Sequence, residues 1–282
     1  MKYIPVRDIN ATQKSADFQE DFSIRSTYEL PTTGKTLSQP LHRHDFFYML
    51  ALDKGSGTHE IDFVPYEVCD HSVVFMRPGQ VHQHQLKADR TGYLIAFKPD
   101  FYYPTDSTLY QLLRKASSVH FYQLDTQRFA KLWATMASML HEYTHKQVGY
   151  REVIKAHLSI LFTELIRQNA QRLDVPLYQQ EKLDEFLLLI ETHFATHKSP
   201  AQYAQLMHLS TYQLNAITKA TLGKTCSKVI SEYIILEAKR HLLATTHQVN
   251  QIAYHLGYED VSYFIRFFRK HTGHSPKAFR HK

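Results

Sequence analysis

The chain has 282 residues, 43% of them hydrophobic and 13% aromatic, which is material for two cored domains rather than for a disordered or fibrous protein. Its formal charge is +6 and lopsided: from Glu181 onward 13 Lys and Arg face 8 Asp and Glu, against 20 and 19 before it, so phosphates are the expected partner of the last third. Two distant cysteines, Cys69 and Cys226, exclude a disulfide framework or a cysteine zinc site, and no run reaches the roughly 18 apolar residues of a membrane span. The opening MKYIPVRDIN lacks the apolar stretch of a signal peptide, so a cytoplasmic protein with no membrane partner is expected.

Residues 1–20 are polar and without clear period, and read as a loosely ordered arm. From Phe22 to Phe97 the texture changes to short segments separated by turns. DFFYMLAL (45–52), THEIDFV (58–64), VHQHQL (81–86) and YLIAF (93–97) have strand character, with Lys54-Gly55-Ser56-Gly57 and Arg77-Pro78-Gly79 as turns. Roughly six to eight such strands within 21–125 predict an antiparallel β barrel or jelly roll. His42, His44, Tyr48, His82 and His84 fall on these strands as candidate effector-binding residues.

From Thr126 the period lengthens. Phe129, Leu132, Trp133, Met136, Met139, Leu140 and Tyr143 step by three and four, and after Gly149 the step resumes from Val153 to Ile166. Two amphipathic helices within 126–170 follow, whose Met and aromatic stripe suits a core and a dimer contact better than a cofactor box. QRLDVPLYQQ (171–180), polar and interrupted by Pro176, is the expected linker, and 181–282 reads as all-α.

Lys182–Phe194 is one more amphipathic helix. Ser199-Pro200 start the next, Ser as cap and Pro at the first helical position, with Ala204 and Leu206 for packing. Leu209-Ser210 turn into TYQLNAITKATLG (211–223), where Leu214, Ile217 and Leu222 face inward and Tyr212, Asn215, Ala216 and Lys219 outward. Residues 227–244, SKVISEYIILEAKRHLLA, hold no breaker and predict one connecting helix. Beyond it, Ile252, Ala253 and Leu256 form an apolar stripe that stops at Gly257. Asp260 opens a helix with Val261, Phe264, Ile265 and Phe268 inside and Ser262, Arg266 and Arg269 outside. Thr272-Gly273 end it, and Ser275-Pro276 start a last short helix. Two helices joined by a short turn, the second presenting cations, make a helix-turn-helix, and the pattern occurs twice. The plainer meaning of each stripe is a solvated basic face.

The stretch GYEDVSYFIRFFRKHTGHSPKAFR (257–280) closely resembles the C-terminal signature of AraC/XylS-type transcription regulators: a Gly-aromatic pair, an acidic cap, Ser-Tyr-Phe, an Arg, a basic stop and Ser-Pro…Arg. The earlier helix pair matches the same family, whose DNA-binding domain contains two helix-turn-helices. The resemblance implies double-stranded DNA as partner, met by Thr211, Tyr212, Asn215, Lys219, Ser262, Tyr263, Arg266 and Arg269. Chemically, Arg266 suits guanine O6 and N7, Asn215 adenine, Lys219 a phosphate and Tyr212 a thymine methyl or a phosphate. Three positions depart from the family: Ala216 and Tyr233, where Arg is common, and Gln251, where Glu is usual. The first head is therefore expected to read fewer base edges.

LHRHDFFYMLALDKGSGTHEIDF (41–63) followed by MRPGQVHQHQL (76–86) looks like the cupin-type sensor domain of the same regulators, a looser match. The resemblance implies a homodimer through the 126–170 helices and adds RNA polymerase as a further partner. Metallocupins draw ligands from His-x-His, a Glu shortly after it and a His on a later strand. Here His42-Arg43-His44 and His82 stand, but Asp45 is adjacent to His44 and Phe46 to Met49 follow. With the carboxylate missing, no tightly held metal and no cofactor are expected. A Gly-rich phosphate loop and a G-x-S-x-G elbow are absent from the sequence, so catalysis is not expected either. The whole reads as a sequence-specific transcription regulator with a barrel sensor for a small organic effector, a helical dimer element and a DNA reader. Two alternatives stay open: a cupin metalloenzyme with an appended helical domain, and a ligand-independent architectural DNA binder.

Overall fold

The structure, a computed structural model, describes residues 4–7, 9, 21–29, 36–102, 107–170 and 176–281. The chain divides into two compact units, Pro5–Leu173 and Asp174–Lys282 with Met1–Ile4. No helix among the described residues is long and apolar enough to cross a membrane.

In the first unit the chain runs through β1 (Val6–Arg7), β2 (Phe22–Ser26), β3 (Thr36–His44), β4 (Phe47–Lys54), β5 (Gly57–Ile61), β6 (Val64–Val68), β7 (Ser72–Met76), β8 (Val81–Lys87) and β9 (Thr91–Phe97). Helices α1 (Pro99–Tyr102) and α2 (Ser107–Ala116), strand β10 (Phe121–Gln123), and the long helices α3 (Thr126–His145) and α4 (Tyr150–Ala170) follow. The arm expected at 1–20 contributes β1, paired parallel to β3 at Val6–Arg43 and Arg7–His44; residues 10–20 lie outside the described residues. The segment 58–64, read as one strand, is a hairpin. Asp62 and Phe63 turn it with φ of 49° and 69°, a left-handed pair that matches the twist of β5 and β6.

The strands form two open five-stranded sheets, ordered β1-β3-β8-β5-β6 and β10-β7-β4-β9-β2. No ladder joins the edges of one sheet to the other among the described residues, so of the expected barrel or jelly roll the described strands give two sheets without barrel closure. Strand β4 explains their arrangement. Its Phe47, Met49 and Ala51 join a core built with Phe129, Leu132, Met136, Leu158 and Phe162 of the long helices. Its Tyr48, Leu50 and Leu52 point the other way, into a core with Leu37, Ile61 and Leu86 of the first sheet. A central strand buried on both faces reads as a continuous apolar run, which is why 45–52 does not alternate.

The second unit is helical: α5 (Leu177–His193), α6 (Pro200–Leu206), α7 (Thr211–Leu222), α8 (Cys226–Ala244), α9 (Val249–His255), α10 (Val261–Thr272) and α11 (Pro276–Arg280). Its core gathers Phe186, Tyr203, Leu214, Ile230, Ile234, Ile252, Phe264 and Phe268. Helix α5 begins five residues before the expected Lys182, inside the segment taken as linker. Pro176 is its N-cap: a proline there costs no helical hydrogen bond, so it starts the helix rather than breaking it. Residues 171–175 lie outside the described residues.

Candidate nucleic-acid interface

The second unit places a helix-turn-helix at each end of α8. In the first, Ser199 and Gln202 close a reciprocal cap on α6, and Ser210 and Gln213 do the same on α7 (2.9 Å from the Ser210 N–H to Gln213 Oε1). Leu214, Ile217 and Thr218 are buried. Thr211, Ala216 and Lys219 are exposed, and Tyr212 is 83% exposed. Two expected packing residues turn outward: Leu206 and Leu222, each 39% exposed, sit at the last positions of their helices, where the inward stripe has run off the core.

Asn215 departs from its expected role. Its Nδ2 donates to the Thr211 carbonyl (3.1 Å) and its Oδ1 accepts from the Cys226 N–H (3.0 Å). The amide that was to pair with adenine thus satisfies a free N–H at the start of α8 and joins α7 to it. Asn215→Ala should destabilise the second unit by about 1–3 kcal/mol, the cost of a buried donor losing its acceptor. A drop in melting temperature with unchanged base preference checks this; an altered preference at one position would restore the base-reading role.

The second helix-turn-helix is built the same way. Gln251, where Glu is usual, accepts from the Gln248 N–H (2.8 Å), so its amide performs the carboxylate's capping function. The turn after α9 requires Gly257: its φ is +77°, and a Cβ there would lie 1.6 Å from the Ala195 carbonyl. Lys198 ties the same corner, donating to the carbonyls of Ala195 (3.1 Å) and Leu256 (2.5 Å). Burial lowers its pKa to about 8. Asp260 caps α10 by accepting from the Ser262 N–H (2.7 Å). Phe264 and Phe268 are buried, while Ser262, Tyr263, Arg266 and Arg269 are exposed. Ile265, expected inside, is 36% exposed and lies on the outward face beside Arg266. Arg266 is 3.8 Å from Asp260, both side chains largely in solvent, so this ion pair is weak and the guanidinium is available. Arg280 donates to the Leu242 (2.8 Å) and His247 (2.7 Å) carbonyls and pins α11 to the end of α8.

Between α8 and α10 runs a groove of about 800 Å³, lined by Thr225, Lys228, Ser231, Lys239, Arg266 and Lys270 among others. Its carboxylate, Glu232, is held by Lys224 at 2.7 Å, which leaves the groove positive. The sequence reading missed Lys228, Lys239 and Lys270. Their signal was present, since Lys228, Ser231, Ile235 and Lys239 step along one face of an uninterrupted helix.

The histidines of the first unit form a second cluster. His42 and His44 on β3, His82 and His84 on β8, and His59 on β5 are all buried. His59 escaped the sequence reading, although its alternation with Ile61 within β5 placed it inward. His59 Nε2 lies 2.8 Å from His82 Nδ1, and His82 Nε2 lies 2.8 Å from His44 Nε2. His42 Nδ1 donates to the Pro40 carbonyl at 2.7 Å. Ring centroids are 4.1 Å apart for His42 and His82 and 5.1 Å for His59 and His84, and His44 stacks on Tyr48 at 5.4 Å. His42, His44, Tyr48, His82 and His84, the residues expected to bind an effector, are thus brought together in one cluster with His59.

Burial keeps these imidazoles neutral. It lowers His42 to about 4 and His44 and His84 to about 3, and holds His59 and His82 well below the ordinary range. Between these values and about 6.5 the unfolded chain binds more protons than the folded one. Stability carried by the cluster is therefore complete above about pH 6.5 and lost as pH falls toward 3–4. With a chelator present, melting followed by the fluorescence of Trp133, the single tryptophan, should move to lower temperature from pH 7.5 to pH 5. A flat profile over that interval would contradict the assignment.

Fold and interface together define a helix-turn-helix DNA-binding regulator with a β-sheet unit before its reader. A family model described as a helix-turn-helix domain matches residues 203–282. The HTH-type transcriptional activator RhaS of Enterobacter sp. (strain 638) is 23% identical over 247 residues, covering 86% of this chain and 87% of the relative. RhaS of Salmonella paratyphi A is 22% identical over 250 residues with the same coverage. Among solved structures, fatty-acid-bound ToxT from Vibrio cholerae strain SCE256 aligns at 13% identity with a TM-score of 0.44, covering 92% of this chain and 94% of that one. The chain carries an AraC-type helix-turn-helix domain at its C-terminus and is homologous to the RhaS activators. Those relatives are transcription activators and not enzymes.

Proposed function

We propose that this protein is a cytoplasmic transcription activator that reads two successive major grooves with α7 and α10, under control of an effector sensed by a cupin-like N-terminal unit. The observation that carries the reading is the pair of capped helix-turn-helices fastened to the two ends of α8, with a basic groove beside it. Thr211, Tyr212, Lys219, Ser262, Tyr263, Arg266 and Arg269 meet the duplex, and Lys228, Lys239 and Lys270 follow its phosphates. The activator role rests on the names of the RhaS relatives. Helices α3 and α4 are the proposed dimer contact, and RNA polymerase is the proposed downstream partner.

The second unit has its own core, so residues 174–282 should fold and bind duplex DNA alone. Affinity should fall steeply with salt, as neutralised phosphates give up their condensed cations. A folded fragment that ignores DNA at low salt would refute the reading.

A further inference from the structure

We propose that the buried histidine cluster of the first unit is a binding site for a late first-row divalent metal ion, zinc being the type, ligated by His59 Nε2, His82 Nδ1 and one ring nitrogen of His84. The inference stands apart from DNA binding and goes beyond the regulator reading.

Three observations carry it. First, the donors converge: His59, His82 and His84 each offer a ligand nitrogen within 4.8 Å of the others. A tetrahedral ion with bonds of about 2.0–2.1 Å holds its ligands roughly 3.3 Å apart, so side-chain shifts of an ångström or so suffice. Second, the unsatisfied atoms are here. Neither ring nitrogen of His84 has a hydrogen-bond partner, nor has His59 Nδ1, although His84 is 7% exposed and His59 fully buried. Polar atoms left so in a protein interior are costly, and ligation of His84 removes one such cost. Third, the shared ligand is oriented from behind. With His82 Nδ1 on the ion, its Nε2–H donates to His44 Nε2 at 2.8 Å, the outer support that metal-bound imidazoles ordinarily have.

The chemistry of the set selects the ion class. Neutral imidazoles without thiolate or carboxylate suit zinc, copper or nickel rather than calcium or magnesium. Three protein ligands leave a fourth position for water or a small anion. His42, His44 and His82 form a competing face, with nitrogens likewise within 4.8 Å. That face leaves both ring nitrogens of His84 without a partner, whereas the proposed set satisfies one of them, and His42 already has Pro40 as partner. His59 is the nitrogen donor that the His-x-His pattern did not contain.

The test uses the full chain carrying His145→Gln and His197→Gln, because the pairs His141/His145 and His193/His197 have ring centroids 4.1 and 5.2 Å apart and could take zinc adventitiously. Chelator-treated protein is titrated with Zn²⁺ and, for spectroscopy, with Co²⁺. One equivalent should bind, and Co²⁺ should give the visible bands of a tetrahedral nitrogen site without a thiolate charge-transfer band, which excludes the exposed Cys69. His59→Gln and His84→Gln should each weaken binding by at least ~10-fold, His44→Gln by about 10–100-fold as a positioning residue, and His42→Gln by no more than about 3-fold. The cobalt spectrum of the unsubstituted cluster decides the matter even if a variant fails to fold. No bound equivalent, a thiolate band, or loss on His42→Gln with retention on His84→Gln each overturns the assignment.

Discussion

Inserting five base pairs between the two contacts of a selected operator is expected to abolish most specific binding. Helix α8 has 19 residues and spans about 28 Å at ~1.5 Å per residue. With the width of the flanking helices, the two heads stand about one duplex turn apart, roughly 34 Å, so the site should consist of two short contacts about 10 base pairs apart. Both ends of α8 are clipped: Asn215 binds α7 to Cys226 at one end, and Arg280 binds α11 to Leu242 at the other. A reader so held cannot follow a contact rotated by half a turn. Ten added base pairs return the second contact to the same face but beyond reach. Anisotropy titrations on the three spacings distinguish these cases, and unchanged affinity after the five-pair insertion would mean that a single head reads DNA. The first head is then the one to doubt, since Ala216 offers no long side chain and Asn215 is committed to the protein.

Arg266→Ala should cost about 1–3 kcal/mol on the cognate site and relax one base position, because its fork can take guanine O6 and N7 together. The free protein does little to hold this side chain. Arg266 is 69% exposed, and its neighbour Asp260 already serves as helix cap. Lys219→Ala should behave differently, weakening all sequences alike and flattening the salt dependence by about one phosphate. Binding to the selected site and to random duplex, each over a salt series, separates the two. Equal losses for both variants on both DNAs would show the roles to be misassigned.

Local chemistry alone determined much of this protein. Ser199-Pro200, Ser210, Asp260, Ser275-Pro276 and the glycines 223 and 273 act through their own backbone and the next turn, so the boundaries of α6, α7, α10 and α11 were readable from neighbouring residues. The charge split and the outward stripe of α10 were legible for the same reason. The tertiary structure decided the rest. Asn215 and Arg280 look like DNA contacts or signature residues in one dimension, and only the path of α8 past them supplies the acceptors and donors they satisfy. Asp62-Phe63 became a hairpin turn through the pairing of β5 with β6, a left-handed conformation that neither residue prefers by itself. The histidine cluster is the clearest case. It draws on three strands that are adjacent only because β8 lies between β3 and β5, and the partner of His82 is a residue 23 positions away whose significance no local pattern carries.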